Sequence, residues 1–182
     1  TDPGDSINSG SSANFQLVKL PATFWISNPS NHFIGNAAAG SEGSGFWAIA
    51  LDAPVGSYTG PAMKPGRMPF GTFDGNRAHS NNFSNFAIDG GIDPVTHQLI
   101  TGHYRPKTDP LNTSNSSGNP IVTPQIHDFT GFKCRDRSLW FRADKMDLFD
   151  CKLADNSRAT FFAYNQTLFD SLIVGKSANI GN

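Results

Sequence analysis

Short apolar runs alternate with polar stretches rich in Gly, Asn and Asp along the 182-residue chain, and the alternation repeats. Laying Phe33-Ile34-Gly35-Asn36-Ala37-Ala38-Ala39-Gly40-Ser41 over Phe73-Asp74-Gly75-Asn76-Arg77-Ala78-His79-Ser80-Asn81, a shift of 40, aligns the Phe, the Gly, the Asn and the second Ala. The same shift carries Phe46 onto Phe86. Nearer the C-terminus, Phe132 and Arg137 fall on Leu153 and Arg158 at a shift of 21, and Leu148-Phe149-Asp150 falls on Leu168-Phe169-Asp170 at a shift of 20. Half of 40 is the same period. A period of about 20 to 22 residues suits one coil of a parallel β-helix, two or three short strands with the corners between them; leucine-rich repeats share the period but need a Leu framework that is missing here. Inward positions of a solenoid stack as ladders of like residues, which places Phe33, Phe73, Phe132, Leu153, Ile173 and Val174 in or beside the core. Asn36, Asn76 and Asn156 read as corner residues, since Asn tolerates φ > 0 and bonds its own backbone.

Two segments interrupt the period. Residues 52–71 carry Pro54, Gly56, Gly60, Pro61, Pro65, Gly66 and Pro69; residues 90–125 carry Pro94, Pro106, Pro110, Pro120 and Pro124 around a Ser/Asn-rich centre. Both read as loops inserted between coils, and long loops in compact repeats are usually functional. The resulting fold class is all-β: a right-handed parallel β-helix of about five to six coils with two long inserted loops. Residues 1–182 are expected to form one such segment of a larger protein, because the end of a solenoid exposes strand edges unless something caps it.

Composition narrows the function classes. Gly and Pro together make 30 residues (18 + 12), which favours strands and turns. With 14 basic against 15 acidic residues, the chain has no electrostatic footprint for nucleic acid. Its longest apolar runs, Phe46 to Leu51 and Thr160 to Ala163, fall far short of the roughly 18 residues of a membrane span, so direct membrane insertion is not expected. Asn-x-Ser/Thr sequons at Asn82, Asn112, Asn115 and Asn165 fit glycosylation in an extracellular protein. Cys134 and Cys151 alone make neither a disulfide framework nor a four-cysteine zinc site. They read as two buried thiols, with one disulfide between neighbouring coils as the rival.

Specific motifs then carry a resemblance. The run Thr23-Phe24-Trp25-Ile26-Ser27-Asn28-Pro29-Ser30-Asn31 and, after it, Ile34-Gly35-Asn36-Ala37-Ala38-Ala39-Gly40-Ser41 resemble motifs of the cell migration-inducing hyaluronan-binding protein / transmembrane hyaluronidase family. The likeness continues through Asn76-Arg77-Ala78-His79-Ser80-Asn81, Asp109-Pro110-Leu111, Asp150-Cys151-Lys152-Leu153-Ala154-Asp155-Asn156 and Ser171-Leu172-Ile173-Val174-Gly175-Lys176-Ser177-Ala178-Asn179-Ile180-Gly181. Nearly the whole chain is covered in order. Fibrocystin-like receptors share related repeats. The resemblance implies a G8-domain and β-helix architecture, placement in the secreted or cell-surface compartment, and binding or endolytic cleavage of hyaluronan, with calcium as the one cofactor it admits. No G8 domain is visible here, and neighbouring domains of the larger protein would be partners.

Candidate chemistry sits on the predicted surface. Glycoside hydrolysis commonly uses two acids flanking the bond, about 5 to 10 Å apart; Asp74, Asp89, Asp93 and Asp128 fall near coil edges, with Asp74 the chosen acid. In an extended segment Arg77, His79 and Asn81 project to one side by two-residue alternation. An Arg there would hold a sugar carboxylate while the His79 imidazole exchanges a proton. Asn76 beside them, and Tyr104 and Arg105 within His103-Tyr104-Arg105-Pro106-Lys107, complete an expected groove for an acidic polysaccharide. Trp25, Trp47 and Trp140 could stack on sugar rings, although Trp25 and Trp47 fit better as core or its cover. The competing reading is a structural or adhesive β-helix without catalysis.

Overall fold

The computed structural model describes residues 21–54, 60–92, 99–112 and 118–178. Apolar residues at alternate positions, as in Ala22-Thr23-Phe24-Trp25-Ile26, give strands whose inward side chains recur once per coil. The first coil contains β1 (Ala22–Ile26), β2 (Phe33–Ile34) and β3 (Ala37–Ala39), and the second β4 (Ser44–Ile49), β5 (Phe73–Asp74) and β6 (Arg77–His79). The third starts with β7 (Ser84–Asp89), leaves through the short antiparallel pair β8 (Gly91–Ile92) and β9 (Leu99–Ile100), and returns as β10 (Gln125–His127) and β11 (Thr130–Phe132). The fourth holds β12 (Arg137–Phe141), β13 (Lys145–Phe149) and β14 (Lys152–Ala154); the fifth holds β15 (Arg158–Phe162), β16 (Asn165–Phe169) and β17 (Leu172–Val174).

Each coil adds one strand to each of three parallel five-stranded sheets. Sheet A is β1-β4-β7-β12-β15, sheet B is β2-β5-β10-β13-β16, and sheet C is β3-β6-β11-β14-β17. This is a parallel β-helix of five described coils. The shift of 40 is a true register, with Phe33 opposite Phe73, Ala38 opposite Ala78 and Phe46 opposite Phe86, but it joins adjacent coils and is not two periods of 20: the first insertion makes up the difference. The shift of 20 is also true, Leu148 pairing with Leu168.

The core is a stack of ladders. Sheet A sends in Phe46, Phe86 and Leu139, and Ala48, Ile88 and Phe141; sheet B sends Phe73, Ile126 and Leu148; sheet C sends Ala38, Ala78 and Leu153. Phe24 stacks on Phe46 at 4.6 Å between ring centroids, and Phe73 stacks on Phe86 at 4.5 Å. Burying each such side chain contributes about 1.5–3 kcal/mol, so the ring ladder is the largest single source of cohesion. Phe33 packs against this core from a half-buried position, while Phe73 and Leu153 lie inside it.

Phe132, Ile173 and Val174 depart from the expected core. Gly131 pairs with Leu153 and takes the inward place, which turns Phe132 outward; the shift is 22 on sheet C and 21 on sheet A. The corner after Phe132 has one residue more than the corner after Ala154, and that residue shifts the frame. Ile173 does continue the inward column below Leu153, yet it is 49% exposed because no described coil covers it. Val174 follows Ala154 in the outward column.

Two of the three corners are made by one left-handed residue per coil. Between sheets B and C these are Gly35, Gly75, Asp128, Asp150 and Asp170; between sheets C and A they are Gly40, Ser80, Lys133 and Asp155, all with φ between 45° and 69°. Asn36, Asn76 and Asn156 are therefore not the φ > 0 residues. Each follows one, and bonds the neighbouring coil through its carboxamide: the Asn36 amide donates to Asn76 Oδ1 at 2.9 Å, Asn76 Nδ2 donates to the Phe33 carbonyl at 2.7 Å, and the Cys134 amide donates to Asn156 Oδ1 at 3.0 Å. Cys134 and Cys151 occupy rungs of these two opposite corners as separate buried thiols, so the disulfide alternative falls away. Burial pushes both thiols up, Cys151 to about 11.

Candidate functional site

The expected groove does not assemble as one site. Arg77 and His79 do project together from the outer face of sheet C, with the buried Ala78 between them pointing inward. Asn81 does not join them, because Ser80 at φ 56° breaks the alternation and swings Asn81 into the core corner. There Asn81 is 1% exposed, accepts from the Ser41 amide at 3.0 Å and donates to Asn85 Oδ1 at 2.9 Å. Asn76 is fully buried in the other corner ladder. Asp74 is exposed on the outer face of sheet B, around the corner from His79, and its neighbour in register is His127. His127 in turn stacks on Phe149 at 4.9 Å, and Phe149 on Phe169 at 4.9 Å.

Tyr104 and Arg105 lie at the third corner, between sheets A and B, whereas sheet C spans the other two corners. Tyr104 is 1% exposed; its hydroxyl donates to the Met68 carbonyl at 2.8 Å, and burial holds its phenol well above the usual range. Buried polar groups need such partners, so Tyr104 is a pin between the two insertions. Arg105 Nε donates to Asp144 Oδ2 at 2.5 Å. His103 Nε2 lies 2.5 Å from Asp144 Oδ1 without a hydrogen bond between them, and its ring stacks on Tyr164 at 4.3 Å.

Sheet C is the more basic face. The column Arg77, Thr130, Lys152 runs in register down three coils, and the second column is His79, Phe132, Ala154. His79 stacks on Phe132 at 4.6 Å with 16° between planes. A groove of about 420 Å³ is lined by Thr130, Phe132, Lys133 and Lys152 among others. A second, of about 310 Å³, lies by the C–A corner against Ser80, Asn82, Lys133 and Arg135. Lys133 lines both. Lys152 Nζ pairs with Asp128 at 2.6 Å; both side chains are more than half exposed, so the pair is weak and can exchange partners.

Comparison with known proteins finds relatives of this sequence. A family model described as CEMIP beta-helix covers residues 4–86. The mouse protein named cell migration-inducing and hyaluronan-binding protein is 34% identical over 184 residues, covering 88% of this chain. Human cell surface hyaluronidase CEMIP2 is 31% identical over 182 residues, again 88% of the chain. The chain belongs to the CEMIP β-helix family. It spans 13% of the length of each of these two relatives. Mouse fibrocystin-L is 26% identical over 139 residues, which are 76% of this chain and 3% of that protein.

Within this CEMIP β-helix, sequence reasoning missed His127 beside Asp74, and Asp144 behind Arg105. Both are brought to their partners across the second insertion, where the register jumps by 53 residues, from Asp74 to His127. Once about 31 inserted residues are set aside the shift is the ordinary 22, so the signal was a period hidden by an insertion. Trp25 and Trp47 point outward from sheet A in adjacent coils, 5.5 Å apart, with Trp47 buried and Trp25 exposed. Among the sequons, Asn82, Asn112 and Asn165 are exposed, and Asn115 lies outside the described residues, as does Asp93. Among the described residues no three His, Cys, Asp or Glu side chains stand together as a metal-binding group. No helix among them is long and apolar enough to cross a membrane.

Proposed function

We propose that this β-helix binds an acidic polysaccharide of the hyaluronan type outside the cell, along the outer face of sheet C. The observation that carries the reading is the basic column Arg77–Thr130–Lys152, flanked by His79 and the grooves that share Lys133. A repeating uronate presents one carboxylate per disaccharide, and the two cations of the column, Arg77 and Lys152, stand two coils apart, about 9–10 Å at the usual strand spacing, which suits successive uronates. The names of the CEMIP relatives, one hyaluronan-binding and one a cell surface hyaluronidase, support that substrate class. Cleavage is the finer reading: His79 would exchange the proton. Asp74 faces another sheet, so the geometry supports binding better than a two-acid mechanism.

The test is made on the full-length protein. Arg77→Ala and Lys152→Ala should each weaken binding to sized hyaluronan, and the double variant should lose about 10-fold or more, with unchanged melting. For His79→Ala, a proton-transfer role lowers hyaluronan turnover by roughly 10²-fold, whereas a packed imidazole on Phe132 instead lowers stability by about 1–3 kcal/mol. Intact binding in the double variant would hand the segment to the structural or adhesive reading.

A further inference from the structure

The two insertions leave the solenoid at one corner and build a second polar site there. Their backbones interlock: the Gly66 amide donates to the Leu51 carbonyl, the Arg105 amide to the Gly66 carbonyl and the Lys107 amide to the Arg67 carbonyl, each at 2.7–2.8 Å. The interlock sets Arg67 of the first insertion beside Arg105 of the second. Together with Asp52, Thr101 and His103 they line a cleft of about 270 Å³. That is slightly under the roughly 300 Å³ at which pockets for drug-sized ligands begin, a size suited to one sugar residue.

Both guanidiniums are held from behind. Asp144 takes the Nε and Nη2 side of Arg105, at 2.5 and 3.5 Å, and His103 Nδ1 sits 3.4 Å from Nη2. Tyr164 clamps the His103 ring from its other side. Among the described residues nothing takes Arg105 Nη1. Arg67 has 15% of its side chain exposed; its Nη1 donates to the Asn112 carbonyl at 3.4 Å, and its Nε is 3.5 Å from Asp52 Oδ1. Asp52 differs from Asp144 in being 72% exposed, against 17%. It is a loosely held carboxylate standing where an incoming one would bind.

We propose that this cleft takes the carboxylate of a single acidic sugar residue between Arg67 and Arg105, with Asp52 as the internal occupant that the ligand displaces. The Arg105 Nη1 edge that Asp144 leaves open, and the Arg67 guanidinium once Asp52 is displaced, would hold the carboxylate from two sides, and the Thr101 hydroxyl is a polar partner for the sugar's hydroxyls. The choice of an acidic sugar rests on the polysaccharide reading above, but the site is separate from sheet C and does not use Arg77 or Lys152.

Sodium D-glucuronate titrated against the full-length protein, observed by ligand-detected NMR, tests this. Arg105→Lys keeps the charge but loses the planar group that bonds Asp144 on one side and leaves Nη1 open on the other, and should weaken binding about 10-fold or more. Asp52→Asn should strengthen it by about 2- to 5-fold, since an exposed ion pair competing for Arg67 is removed. A merely structural role for Asp52 would not produce tighter binding. Glucose binding as well as glucuronate, sulfate competing equally with it, or both variants binding like the parent would each overturn the proposal. Arg77→Ala separates the two readings: glucuronate binding that depends on Arg105 while polymer binding ignores Arg77 leaves the cleft standing and removes the sheet C site.

Discussion

The B–C corner and the A–B corner of this β-helix solve the same turning problem in opposite ways. Every coil crosses the first with one left-handed residue followed by an inward-facing one: Asn36, Asn76, Phe129, Cys151 and Ser171 occupy the same rung. At the A–B corner the linking segment is 27–32 in the first coil, 50–72 in the second, 90–124 in the third and 142–144 in the fourth. A corner whose inward residue packs on or bonds to the coil alongside tolerates no insertion, because one extra residue would break that ladder of Asn36–Asn76, Phe129 and Cys151–Ser171 contacts. A corner sealed only by its own loop can lengthen freely. The ion pairs Arg105–Asp144, Arg67–Asp52 and Arg142–Asp89, with His103 set against Asp144, accordingly gather at the variable corner.

Substitution can break that contrast. Asn76→Ala removes the acceptor of two Asn36 donors, the backbone amide and the carboxamide, and the donor to Phe33, inside a fully buried rung. The expected loss is about 2–4 kcal/mol in urea denaturation. Glycan binding by the folded fraction should be unchanged, since Asn76 does not reach the surface. Cys151 tests the same seal chemically. With its thiol pushed up to about 11, chiefly by burial, about one molecule in a thousand is thiolate at pH 8. Iodoacetamide should label it about 10²-fold more slowly than an exposed thiol until the protein is unfolded. At the variable corner, Tyr104→Phe removes a single bond to Met68 and should cost only about 1 kcal/mol by the same denaturation measurement.

What could be read from the sequence follows the same division. The rungs Phe33–Phe73, Ala38–Ala78 and Leu148–Leu168 were legible because the B–C corner keeps its length and the C–A corner varies by a single residue, and the two insertions were legible as Pro- and Gly-rich breaks. The site was less so. Alternation predicted Arg77 and His79 on one face correctly, but it fails beyond a left-handed residue, and nothing in Ser80 as a residue type announces φ 56°. Asn76 and Asn81 drew attention as polar residues in a family motif, and both spend their carboxamides on buried bonds at the corners, Asn76 to Asn36 and Phe33, Asn81 to Ser41 and Asn85. Tyr104 and Arg105 fell together by proximity in sequence, while one is buried under the other insertion and the other faces the cleft. Asp144 was invisible, since only the folded corner brings it to residues some 40 positions away.

The smallest effect expected is also the one that tests why the regular corners read as they do. At the B–C corner the first two coils use Gly35 and Gly75 at the left-handed position, whereas the next three use Asp128, Asp150 and Asp170 at φ 45–56°. Asp150 is exposed, and unlike Asp128 it forms no ion pair among the described residues, so its substitution reports on backbone alone. A side chain with a Cβ is disfavoured in this region by roughly 1–2 kcal/mol, less for Asp, which bonds locally. Replacing it by Gly relieves that cost but loosens the unfolded chain, an opposing term of about 0.4–1 kcal/mol. Asp150→Gly should therefore change stability by less than about 1 kcal/mol, while Asp150→Val, branched at the carbon that clashes, should lose about 1–2 kcal/mol. Melting temperatures of the two variants side by side decide it. If Val is tolerated as well as Gly, the left-handed residue is not what fixes the corner, and the invariance of its length needs another cause.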